Sequence, residues 1–218
     1  VCNNGGLGAQ GPGSEGRIKR ADLANGTFER VFDACDGIPL EGPNDLVFEA
    51  SGRLWFTDLG SFHGPRRAAG GLFTCLPDGT AITAVDRNTV SYNGIGLSPG
   101  DAHVHVADTA QARIYRYDAR PEPQAQQYVA TAPGPVGFDS LAMTAAGNVC
   151  VATLYEGGIT TVSPDGTVSK RAIPDDRFVT NIAFGGADMR DAYVTLSETG
   201  RLVRLRWDEP GLKLAFGG

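Results

Sequence analysis

Asn44, Asn93, Asp139 and Thr180 open four similar segments, Asn44-Asp45-Leu46-Val47-Phe48, Asn93-Gly94-Ile95-Gly96-Leu97, Asp139-Ser140-Leu141-Ala142-Met143 and Thr180-Asn181-Ile182-Ala183-Phe184. The offsets between the four openings are 49, 46 and 41 residues. Amide and carboxylate oxygens without positive charge suit a hard divalent cation such as calcium, magnesium or manganese, with zinc reachable through carboxylate oxygen. One acid and two amides carry little charge, so a further acid from outside this sequence is expected. The same residue types also cap strand ends and bond neighbouring loops. Spacing alone leaves both roles open.

The elements that must position these residues are short strands. Each segment runs into a turn: Ala50-Ser51-Gly52, Pro99-Gly100-Asp101, Ala145-Ala146-Gly147 or Gly185-Gly186-Ala187-Asp188. A second β-prone run follows each turn: Leu54-Trp55-Phe56, Val104-His105-Val106, Val149-Cys150-Val151 or Ala192-Tyr193-Val194. Asn25-Gly26, Asp78-Gly79 and Asp165-Gly166 mark further hairpins. A period of about 40 to 50 residues built from strands and turns signifies a four-stranded blade of a β-propeller. The 30 glycines and 13 prolines among 218 residues agree with that many turns. In a propeller the innermost strands line a central channel, so the four polar openings would converge near one mouth. Residues 1–218 read as a single β-propeller domain, truncated at its amino end, with residues 1–43 supplying outer strands of a blade. The polar stretch Asp118 to Gln127 reads as an extended connection on the outer edge of a blade.

A net charge of −6 and a pI near 5.0 argue against nucleic acid or anionic membrane as the main partner. No apolar run approaches the roughly 18 residues of a membrane helix. The four scattered cysteines have no C-x-x-C spacing and read as free thiols of a reducing, cytoplasmic compartment, with one disulfide as the alternative. A monomer or weak homo-oligomer is expected. Asp58, ending a second strand, either caps the loop Leu59 to Arg67 or binds substrate hydroxyls. His63, on that loop, is a candidate substrate contact, whereas His103 and His105 alternate along a strand and read as structural. No Gly-x-Ser-x-Gly elbow supports a serine triad, and the glycine-rich runs lack the strand-to-helix setting of phosphate binding.

GPNDLVFEASGRLWFTD (42–58), NGIGLSPGDAHVHVADT (93–109) and TNIAFGGADMRDAYVT (180–195) resemble the gluconolactonase, regucalcin (senescence marker protein) and luciferin-regenerating enzyme family. The likeness spans essentially the whole chain, in order. It implies an all-β, six-bladed β-propeller of which this chain lacks roughly the first one to one and a half blades. It further implies one divalent cation in the channel, calcium foremost, with zinc, magnesium or manganese as options. By this resemblance Asn93 is an amide metal ligand, Asp139 is a carboxylate ligand and general base, and Asn44 contacts substrate, or the metal through water. Two departures stand out. The family's glutamate ligand, from an early Glu-Gly-Pro segment, has no counterpart, because Glu41-Gly42-Pro43 directly precedes Asn44 and belongs to the later motif. The usual Asp-Gly is Asp139-Ser140, which adds a hydroxyl beside the metal position. The implied function is a metal-dependent hydrolase that opens a sugar lactone with metal-activated water. The preference for sugar lactones rests on family analogy. The alternatives are a non-catalytic calcium-binding or scaffold propeller, and an arylesterase or lactonase for apolar lactones.

Overall fold

Turns at short intervals cut the chain into brief strands. The computed structural model describes residues 1–5, 15–60, 68–87 and 91–216, and among them the helical element is a single 3₁₀ turn, Pro99–Asp101. No described helix is long and apolar enough to cross a membrane. The chain forms two compact units, Val1–Asn93 with Arg120–Ala125, and Gly94–Ala119 with Gln126–Gly218.

In the first unit β1 (Cys2–Asn3), β2 (Arg17–Asp22) and β3 (Thr27–Phe32) form a three-stranded sheet, and β4 (Ala34–Cys35) pairs with β5 (Ile38–Pro39). A four-stranded sheet follows, with β6 (Pro43–Phe48), β7 (Leu54–Asp58), β8 (Gly71–Cys75) and β9 (Ile82–Asp86) in chain order. Its core gathers Ile18, Cys35, Leu40, Leu54, Phe56, Phe73 and Cys75, with the Phe56 and Phe73 rings stacked 5.2 Å apart. Burying each of these rings contributes about 2 kcal/mol.

β10 (Tyr92–Leu97) begins in the first unit and continues into the second. It leads a four-stranded sheet with β11 (His103–Asp108), β12 (Arg113–Asp118) and β13 (Gln127–Thr131). The next sheet is β14 (Gly137–Met143), β15 (Val149–Leu154), β16 (Gly158–Val162) and β17 (Val168–Ala172), and the last is β18 (Val179–Gly185), β19 (Asp191–Leu196) and β20 (Arg201–Arg206). The stretch Asp118 to Gln127 joins β12 to β13, as its polar composition suggests. Among the described residues there are thus three four-stranded and two three-stranded sheets, five blade-like units rather than six.

Period-two side-chain geometry explains why a second strand packed on both faces, such as β15, carries successive apolar residues. On β15, Val149 and Val151 enter one core with Ala107, Ile114, Phe138 and Leu141. Cys150 and Ala152 enter the other, with Ile182, Ala192, Val194 and Trp207. Every residue of β15 and of β7 is buried, whereas the outer strand β17 is largely exposed. Cysteine follows the same logic. All four cysteines are free, and burial pushes the thiols of Cys2, Cys75 and Cys150 up to about 12. They stay protonated and unreactive.

His105 on β11 is 9% exposed, and its Nδ1 has no hydrogen-bond partner. Burial, then the charges of His103 and Arg116, push its pKa down to about 4 from 6.5. The neutral ring is therefore favoured in the folded state. Its stabilising contribution is complete above about pH 6.5 and is lost as pH falls towards 4, up to about 3 kcal/mol in all. Urea denaturation of the His105→Gln variant at pH 7 and pH 4.5 is expected to show a much smaller acid loss than wild type. An equal loss in both proteins would assign the acid sensitivity elsewhere.

Candidate functional site

The inner strands β6, β10, β14 and β18 begin just before the four polar openings anticipated from the sequence. The register shows how polar residues are placed on otherwise apolar strands. In the β6–β7 pair Pro43 opposes Asp58 and Leu46 opposes Phe56, so Asn44 and Asp45 together face the single residue Thr57. In the β14–β15 pair Phe138 opposes Thr153 and Leu141 opposes Val151, so Asp139 and Ser140 together face Ala152. In the β18–β19 pair the shift falls between Val179 and Asn181, which makes Thr180 the extra residue. Each is a β-bulge, a device that locally breaks the ladder and re-aims a side chain, and such bulges are over-represented beside active sites.

Burial differs among these positions. Asn93 and Ser140 are buried, while Asn44, Asp139 and Thr180 are half-buried. Thr180 Oγ1 lies 2.9 Å from Thr195 Oγ1 on β19. Two residues given no site role from the sequence shape the surrounding backbone. In the first unit the Thr57 hydroxyl donates to the Asn93 carbonyl and accepts from the Asp45 N–H at 3.2 Å. In the second unit a Cβ on Gly94 would meet the Asp139 carbonyl at 2.6 Å and the Leu141 nitrogen at 2.7 Å. Both are backbone atoms that cannot swing aside, so β10 needs glycine where the bulged strand approaches. The Asn-Gly dipeptide signals the second requirement, whereas nothing local signals the first.

Asp58 has a different task. Its Oδ1 accepts the N–H groups of Gly42 at 2.7 Å and Gly60 at 2.8 Å, and its Oδ2 accepts that of Glu41 at 2.9 Å. The residue is 1% exposed. Burial pushes its pKa up, against the lowering effect of the three amides. Of the two roles the sequence allows Asp58, this geometry supports the cap. His63 lies outside the described residues.

A divalent cation is implied by the resemblance, and the residue types at the inner-strand openings suit one. Among the described residues no group of three or more His, Cys, Asp or Glu is placed to hold a metal. The inner strands of the first unit carry the amides Asn44 and Asn93, and those of the second carry the carboxylate Asp139 and the hydroxyl Ser140. Uncharged and anionic oxygens of this kind match a hard cation rather than a thiolate- or imidazole-bound one.

The cap reading of Asp58 is testable by stability. Asp58→Ala leaves three amides without their acceptor and is expected to cost about 3 kcal/mol in urea denaturation. Asp58→Asn, which keeps one acceptor oxygen, is expected to fall between. A variant with wild-type stability and a raised KM would instead make Asp58 a substrate contact.

Comparison with known proteins gives this architecture its relatives. The model of the SMP-30/Gluconolactonase/LRE-like region matches residues 5–198. A 6-deoxy-6-sulfogluconolactonase of Pseudomonas putida is 30% identical over 186 residues, covering 84% of this chain and 63% of the relative. Pentonolactonase XacC of Haloferax volcanii is 28% identical over 158 residues, covering 70% of this chain and 52% of the relative. A solved structure provisionally described as a gluconolactonase superposes with a TM-score of 0.74 at 26% identity, over 90% of this chain and 69% of that one. The chain thus spans between about half and two thirds of the length of these curated relatives. Its fold is an all-β propeller. The chain belongs to the SMP-30/gluconolactonase/LRE-like family.

Proposed function

We propose that this chain is part of a divalent-metal-dependent hydrolase that opens sugar lactones. The observation that carries the reading is the repeated bulge, which sets Asn44 and Asp139 at corresponding openings of inner strands. The two curated relatives named above are both sugar lactonases, and this supports the substrate class. Calcium is the leading candidate for the cation, followed by zinc, magnesium and manganese.

Asn93 and Asp139 are assigned to hold the cation, and Asn44 to orient the lactone ring. His63 keeps its assignment as a substrate contact from its place in the sequence after β7. When bound, the cation supplies Lewis-acid polarisation of the lactone carbonyl. Asp139 has the chemistry of the general base. Its carboxylate takes a proton from water as the water oxygen bonds to the carbonyl carbon, and returns that proton to the ring oxygen as the ring C–O bond breaks. The product is the open hydroxy acid.

Asp139→Asn keeps the side chain's volume and one ligand oxygen but removes the charge and the basicity. In the full-length protein with added divalent metal, sugar-lactone hydrolysis is expected to fall at least about a hundredfold. Asp165→Asn is the control. Its Oδ1 accepts from Ser163 Oγ at 2.6 Å and Thr167 N at 2.9 Å in an exposed hairpin turn, so activity is expected to remain near wild type. Complete chelation of divalent metal is expected to abolish turnover, and readdition to restore it. Equal activity in the two variants would remove Asp139 as base, and activity surviving chelation would remove the metal from the mechanism.

A further inference from the structure

Thr57 is fully buried on β7, directly opposite the Asn44–Asp45 bulge of β6. Its hydroxyl accepts from the Asp45 N–H at 3.2 Å and donates its one proton to the backbone carbonyl of Asn93. A threonine hydroxyl has one donor and two acceptor sites, and here the donor is directed across to another inner strand. The fold does not itself require a hydroxyl at this place. The residue facing the corresponding Asp139–Ser140 bulge is Ala152, equally buried within its sheet. Asn93 is the first unit's assigned metal ligand, and its backbone is held by a partner 36 residues away in sequence.

We propose that Thr57 is a positioning residue for the metal site. Its hydroxyl clamps the β6 bulge to the Asn93 backbone and so fixes the direction in which Asn93 presents its amide. The proposal rests on the reading of Asn93 as a ligand. It assigns Thr57 no contact with metal or substrate. Groups that orient a ligand in this way are worth about 10- to 100-fold in metal affinity when removed.

The test is isothermal titration of the full-length protein with whichever of calcium, magnesium, manganese and zinc the wild type binds most tightly. It is run well below the thermal midpoint, with folding checked by circular dichroism. Thr57→Val keeps the shape and removes the hydroxyl, and is expected to raise the Kd about 10- to 100-fold. Thr57→Ser is expected to restore wild-type affinity. If the valine variant fails to fold, Thr57→Ala, which installs the residue found opposite the second bulge, decides with the same expected rise. A merely structural threonine would lower the thermal midpoint and leave the Kd of the folded protein unchanged, and that result overturns the proposal. Asn93→Ala separates the two layers. If it binds metal as wild type does, the ligand reading itself has failed. If it loses binding while the Thr57 variants keep wild-type affinity, only the role of Thr57 has failed.

Discussion

An inner strand, which pairs with its blade along one edge only, keeps its side chains in strict alternation until that ladder is broken. β6, β14 and β18 break theirs near their first residues. Two residues oppose one at Asn44–Asp45 and at Asp139–Ser140, and one residue is extra at Thr180. Outside the bulge, β6 and β14 carry only apolar residues and glycine, so a single local irregularity supplies the polar side chains of each strand. The second strands behind the bulges are buried throughout on β7 and β15.

The same constraint separates carboxylates that build the fold from the one assigned to chemistry. Asp58 and Asp108 are the last residues of β7 and β11, and both accept backbone N–H groups of the loops that follow. Asp176 likewise accepts the amides of Phe178, Glu198 and Thr199. An acid closing a strand is committed to satisfying loop donors that would otherwise be buried without acceptors. Asp139 instead lies within β14, on the residue pair that its partner strand does not match. Position in the ladder, more than residue type, distinguishes the two classes.

Much of the fold was legible because its signals are local. Hydrophobic runs, Asp-Gly turns and a period of about 40 to 50 residues place β6, β10, β14 and β18 and their hairpins. The roles proposed for Asn93 and Asp139 come from the family resemblance, since residue type and repeat position alone left ligand and cap open. The bulges were not legible, since Asn-Asp and Asp-Ser at a strand opening read equally well as caps. The clamp by Thr57 was invisible for a different reason. Its partners, Asp45 and Asn93, lie 12 and 36 residues away, and no spacing rule joins them. Asp58 was left between two roles because an acid at a strand end faces both the loop and the solvent until the loop's path is known.

The most direct measurement is an anomalous-scattering map of crystals of the full-length protein grown with manganese. A single peak within bonding distance of both Asn93 Oδ1 and an Asp139 carboxylate oxygen is the expected result. A peak bonded to neither side chain, in a protein that opens sugar lactones, would contradict the assignment of these bulged strand openings as the metal site.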